Sequence, residues 1–306
     1  MRICIFGAGA VGSHLAVRLS RAGHDVSCVM RGPHLEAVKA RGLTLRADGA
    51  EFSAQVTASD DPARLGPQDF VISTLKATAL SSLATGLKPL LRDDTAVVFA
   101  QNGIPWWYDM GISPDHPPPP DLAFLDSGTA LRSAVSQGHI IGGVIFSSNE
   151  VVAPGIVANL TPDRNVLQVG ECDDRASERI ERLRALLQEA GLLSPPVPHI
   201  REAIWSKLLT NMSMSVLCLL TGQPRAPFGK ILIWPTWYRG CWMRPTASRA
   251  VVSPTSSDPP ETGRPPTTSL RSCRTTNSVA RWRSTCWSAR PPLSRGLPDC
   301  RRRCST

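Results

Sequence analysis

No apolar run in this 306-residue chain approaches the ~20 residues that a helix needs to cross a bilayer. A strand-like run begins at Ile3, which leaves no room ahead of it for a secretory leader. Both absences argue for a cytoplasmic protein whose nine cysteines stay reduced. The six histidines show no ligand spacing with the cysteines, so no metal site is expected. Cys4 and Cys28 fall inside apolar strand patterns and read as core. Acidic residues are scarce in one region only. Residues 223–306 hold 3 Asp+Glu against 15 Lys+Arg, a balance of +12, whereas residues 1–222 balance at −3. The net charge of +9 therefore belongs to the last quarter of the chain.

What is present organises itself around residues 2–12. The run Ile3 to Phe6 reads as a strand buried on both faces, and it stops at Gly7. Gly7, Gly9 and Gly12 supply the spacing G-x-G-x-x-G, with Ala8, Ala10 and Val11 between them. A helical pattern through Leu15, Leu19 and Ala22 follows and ends at Gly23. Each glycine has its own task in a dinucleotide site: a tight turn, close approach of a pyrophosphate to the backbone, and close packing of helix on strand. The helix N-terminus then offers N–H groups and a positive dipole end to the phosphates. A strand before the motif and a helix after it are the context that such a site requires.

The second strand reads as 25–30. About 20 residues past the glycines, NAD-selective folds place a carboxylate on the ribose. This chain has Met30-Arg31-Gly32 there instead. An arginine in that place suits the 2′-phosphate of NADP(H), although it also reads as an exposed loop residue. Further apolar runs at 70–75 and 96–100 end at Lys76 and at Gln101-Asn102-Gly103. The alternation of strand, helix and turn implies an α/β fold, a Rossmann-type parallel sheet with helices on both faces. Gly7, Arg31, Lys76 and Asn102 would all lie at carboxyl ends of its strands, where such sheets bind ligands. The aromatic cluster Trp106-Trp107-Tyr108 either walls the nicotinamide pocket or covers the sheet edge. Residues 116–120 form a proline-rich loop. From 122 to 171 the pattern is strand-like, with Gly142-Gly143 and Pro154-Gly155 as turns and a last strand at 165–170. Residues 177–190 form a helix on Ile180, Leu183, Leu187 and Ala190, stopped by Gly191. The expected division is a cofactor-binding domain over 1–172 and a helical substrate domain over 173–306, aberrant from about 230.

Residues 201–220 form one long helix. Lys207, Asn211 and Ser215 are four apart and share a face. Helix geometry alone makes that face a solvated stripe. Next to a dinucleotide site, a lysine close to a carbonyl oxygen can instead protonate a developing alkoxide. The glycine motif, Arg31, Lys76, Gln101-Asn102-Gly103 and the W-x-K-L-x-x-N segment at 205–211 together resemble the ketopantoate reductase (2-dehydropantoate 2-reductase) family over roughly residues 1–222. The resemblance implies a Rossmann domain, a helical C-terminal domain and reduction of a 2-oxo acid with NADPH on the route to pantothenate. It implies Lys207 as general acid, Lys76 near the nicotinamide and Asn102 on cofactor and substrate. Asn211 and Ser215 would bind the substrate. Family members continue with Asn-Pro where this chain has Ser215-Val216, which leaves the identity of the 2-oxo acid open. The sequence leaves the oligomeric state open too, a homodimer included.

Past about residue 230 the resemblance stops. From 223 on there are fourteen arginines, one lysine and five of the eight tryptophans, and no helical face persists. Natural disorder usually lacks Trp and Cys. Read one base out of frame with permitted codons, residues 269–290 yield a segment of the form Q-D-x-E-x-G-R-P-x-E-x-D, which resembles one carried by ketopantoate reductases. The expectation is a frameshift near 230–235. The family's catalytic glutamate would then fall across Trp282 and Arg283 and be missing from the chain as written. Such a product would leave the apolar face of 201–220 uncovered, bind NADP weakly at best and have little activity. The alternative from a different class is a nucleic-acid-binding arm made of the basic tail.

Overall fold

The computed structural model describes residues 1–112, 119, 121–126 and 129–222. All of these belong to one compact unit, Met1–Thr236. Most of the proline-rich loop 116–120, the tail for which a frameshift is expected, the Trp282–Arg283 position and the basic arm lie outside the described residues.

Strands β1 (Arg2–Phe6) and β2 (Asp25–Val29) pair in parallel, with Ile3 opposite Val26 and Phe6 opposite Val29. They belong to a seven-stranded sheet completed by β5 (Thr57–Ser59), β6 (Phe70–Ser73), β7 (Ala96–Phe99), β8 (Ile140–Phe146) and β11 (Val166–Glu171). The order is β11-β8-β7-β6-β1-β2-β5, parallel throughout except where β11 runs against β8. The chain moves outward from β1 through β2 to β5, then returns to start again at β6. Strand order therefore reverses between β1 and β6, the place where open α/β sheets hold ligands.

Helix α1 (Ala10–Arg21) lies on one face of this sheet, with α5 (Glu178–Glu189) packed against β11 on the same side. The α5 pattern follows the sequence closely: Ser177 caps it by accepting from the Ile180 amide at 3.3 Å, and Ile180, Leu183 and Leu187 are buried. A second sheet was not foreseen. Strands β3 (Leu43–Ala47), β4 (Ala50–Ala54), β9 (Asn149–Ala153) and β10 (Ile156–Asn159) form it in the order β4-β3-β10-β9. It packs on the outer side of α1, so α1 is enclosed between two sheets. Leu43, Leu45 and Val157 of the small sheet join Leu15 and Leu19 of α1 in one core.

Three further expectations need correction. The stretch from 122 is not strand-like throughout: Ala130–Ala134 forms a short helix, α4. Gly142-Gly143 is not a turn but the middle of β8. A Cβ at Gly142 would stand 2.7 Å from both Ile200 and Trp107, so glycine is required by packing across the sheet face. Last, α6 (Ile200–Thr221) is long and apolar enough to cross a membrane by length and composition, with a mean hydropathy of 1.4. Thr210, Asn211, Ser213 and Ser215 interrupt its apolar residues, which is why no continuous run was visible. Its start is fixed to the α/β body. Ile200 seats over Gly142 and Gly170, and the Arg201 guanidinium donates to the carbonyls of Tyr108 and Cys172 at 2.9 and 2.6 Å.

Candidate active site

The carboxyl ends of β1, β2, β6 and β7 open onto a cleft of about 1000 Å³. Gly7 to Gly12, Arg31, Lys76 and Asn102 all line it. The glycine loop is held from two sides. The amides of Gly7 and Ala8 donate to Val29 O at 3.0 and 3.1 Å, and Thr74 Oγ1 donates to Gly7 O at 2.8 Å.

The three glycines differ in what requires them. Gly7 has φ +93°, and a Cβ there would stand 2.5 Å from Leu75. A Cβ on Gly12 would meet Thr74 Oγ1 at 2.6 Å and Gly7 O at 2.8 Å. At Gly9 a Cβ would meet only Gly7 O, at 4.0 Å. Nothing in the protein crowds Gly9, so its missing side chain leaves room in the cleft itself. Gly9 also caps α1 without a side-chain bond, and no acidic residue occupies the first turn. The first-turn amides of a helix have no intrahelical acceptor, so this end of α1 is suited to an anion. Arg31 is exposed at the end of β2, and Lys76 is exposed just past β6. These residues suit a dinucleotide: N–H donors at the start of α1, open space at Gly9 and the exposed guanidinium of Arg31 share one cleft.

Lys207 approaches the same cleft from α6. Its Nζ donates to the carbonyl of Ile145, a residue of the cleft wall, and stands 5.0 Å over the Phe146 ring. Burial pushes its ammonium pKa down to about 8. Asn211 and Ser215 follow one and two turns further along α6. Asn211 is half-buried and Ser215 exposed, and none of the three, Lys207 included, is among the residues lining the cleft.

The aromatic cluster has a different place from either expected one. Trp106 and Trp107 are fully buried on the face of the large sheet opposite α1, with Trp106 edge-on to Phe99 at 5.2 Å. They line no part of the cleft. The cluster anchors α6: Arg201 lies 5.7 Å from the Trp107 ring centroid, and Trp205 Nε1 donates to Tyr108 Oη at 2.7 Å. Sequence reasoning also missed His34, Thr74, Ile145 and residues 151–154, all on the cleft wall. Only His34, three residues past Arg31, offered a local signal.

Comparison with known proteins agrees with this geometry. The ketopantoate reductase PanE/ApbA family model matches residues 3–173. A 2-dehydropantoate 2-reductase from Mesorhizobium japonicum is 40% identical over 230 residues, covering 74% of this chain and 69% of that protein. A solved protein from Ralstonia solanacearum MolK2, described as a ketopantoate reductase, superposes with a TM-score of 0.66 at 38% identity, covering 72% of this chain and 68% of that one. The fold is shared with a D-mandelate dehydrogenase solved with NADH and anilino(oxo)acetate, at a TM-score of 0.61 and 23% identity, covering 75% of this chain and 67% of that one. The glycine loop at a strand-order reversal, the lysine bonded to a residue of the cleft wall and the match over more than half its length lead to one conclusion: this chain belongs to the ketopantoate reductase family of oxidoreductases.

Proposed function

We propose that the site reduces a 2-oxo acid with NADPH, with 2-dehydropantoate as the substrate and pantoate as the product. The observation that carries this reading is Lys207, whose Nζ donates to the carbonyl of Ile145, a residue lining the cleft that the glycine loop opens. NADPH bound there supplies the hydride for C2 of the acid. The α1 amides and Gly9 hold the pyrophosphate, and Arg31 pairs with the 2′-phosphate. Lys76 and Asn102 stand at the adjoining strand ends. Lys207 gives its proton to the oxygen on C2 as negative charge develops there. Its lowered pKa suits this: an ammonium at about 8 is a stronger acid than one in water, yet remains charged at neutral pH. Asn211 and Ser215, on the Lys207 side of α6, are assigned to the hydroxyl and carboxylate end of the substrate. The first domain of this reading ends near 172 and the second begins at α5.

The catalytic glutamate implied by the resemblance requires the restored reading frame, so turnover is tested on that chain. The expected result is reduction of 2-dehydropantoate ahead of other 2-oxo acids in a panel, with Lys207→Ala lowering kcat/KM by at least ~10²-fold. Because the acid must be charged, kcat falls as pH rises through about 8. A flat profile from pH 7 to 10 contradicts the role of Lys207. Preference for another branched 2-oxo acid would shift the assignment to the second reading, which Ser215 in place of asparagine favours. An uninterrupted frame across codons 225–240, confirmed by independent resequencing, would remove a sequencing error as the source of the frameshift.

A further inference from the structure

The turn between β9 and β10 belongs to the small sheet, and the glycine loop to the large one, yet a single side chain joins them. His34 stands in the first turn of α2 (Gly32–Arg41), half-buried on the cleft wall. Its Nδ1 lies 3.0 Å from the Gly155 amide nitrogen, and its Nε2 lies 3.1 Å from Ser13 Oγ. An amide only donates, so Nδ1 accepts, and the neutral ring carries its proton on Nε2. Nε2–H then donates to Ser13 Oγ. The Ser13 hydroxyl in turn donates to Ala8 O at 3.0 Å. The donors run in one direction, from Gly155 through His34 and Ser13 to the loop carbonyl. Burial holds the His34 pKa below the usual imidazole range and so favours the neutral ring that this order needs.

Both ends of this chain of bonds matter to the cleft. Ala8 lies between the first two glycines of the loop. Gly155, at φ +81°, is fixed from its other side, since the Thr44 amide donates to its carbonyl at 2.9 Å. Residues 151–154, just ahead of Gly155, line the cleft. We propose that His34 is a positioning residue for the dinucleotide: it latches the β9–β10 turn to the glycine loop and so holds the cleft at its working width beside Arg31. This rests on the dinucleotide reading given above. The latch touches the wall and the loop; its effect on the cofactor is carried through both.

The two bonds can be cut separately. Asparagine places an Oδ1 where imidazole has Nδ1, so His34→Asn keeps an acceptor for Gly155 and gives up Ser13. His34→Ala gives up both. Hydrogen–deuterium exchange on the whole chain without cofactor reads the latch itself. In His34→Ala, residues 151–157 exchange about tenfold faster than in the parent while β1 and β6 are unchanged, and His34→Asn restores the protection. NADPH titration by fluorescence reads the consequence. The Kd rises about five- to tenfold in His34→Ala, the scale of one neutral hydrogen bond, and returns to within about threefold of the parent in His34→Asn. Unchanged exchange at 151–157 overturns the latch. Faster exchange with an unchanged Kd overturns its part in cofactor binding. A parent that binds neither NADPH nor NADH overturns the dinucleotide reading, and this role with it.

Discussion

Helices α1 and α6 each carry one half of the proposed chemistry, and their surroundings could hardly differ more. Seven of the twelve residues of α1 are buried, because the large sheet covers one side and the small sheet the other. Only Ile200 and Ile204 are buried among the 22 residues of α6. Beyond its first two turns, Leu209, Met212, Val216, Leu219 and Leu220 are all exposed, the last two at 83% and 77%. Full burial of each such side chain contributes about 1.5–3 kcal/mol. The cofactor half of the cleft is therefore a finished piece of protein among the described residues. The helix bearing Lys207 is finished only where Arg201, Ile200 and the tryptophans hold it.

Three variants would break or sharpen the comparison. The largest effect is expected from Leu15→Ala on α1. Leu15 is fully buried between the sheets, so urea unfolding should show a loss of about 2–5 kcal/mol. His14 comes next. It is fully buried on the same helix, its two ring nitrogens have no hydrogen-bond partner among the described residues, and burial, with Arg18 adding to it, pushes its pKa down to about 4. The unfolded chain takes up a proton near pH 6.5 and the folded chain does not until about 4. Stability is therefore lost as pH falls through that window, by on the order of 3 kcal/mol. His14→Met should flatten that part of the stability–pH curve. The smallest effect belongs to α6: Leu219→Gln with Leu220→Gln should change unfolding by less than about 0.5 kcal/mol, while reducing self-association in light scattering. A loss there as large as that of Leu15→Ala would mean that the face is covered after all.

The parts of this molecule that could be read from its sequence are those set by neighbours in sequence. The glycine loop is one, because strand, turn and helix N-terminus follow one another within twelve residues. Helix α5 is another, with its capping serine, its apolar period and its terminal glycine. What escaped depends on partners far along the chain. Gly142-Gly143 looks like a turn until Ile200 and Trp107 are seen filling the space that a Cβ would take. The small sheet escaped because its strands are short and two of them bury little, as in β4, with one buried residue, and β9, with none. The tryptophans gave no sign of which face they would occupy, because a buried anchor and a pocket wall have the same composition. Arg31 and Lys76 both line the cleft because the strand ends of a parallel sheet converge there, a position that the chain order alone makes legible. Lys207 could be singled out by spacing, but only the fold brings it to Ile145.

The most direct test of the account is a pair of titrations of the full chain, one with NADPH and one with NADH, followed by cofactor fluorescence and repeated on Arg31→Ala. Binding needs only the half of the cleft that is complete among the described residues. The account predicts that NADPH binds more tightly than NADH. It also predicts that Arg31→Ala removes the difference by weakening NADPH alone, by about 1.5–3 kcal/mol, the scale of a charge-assisted hydrogen bond. Equal affinities in the parent, or a preference for NADH, would contradict it.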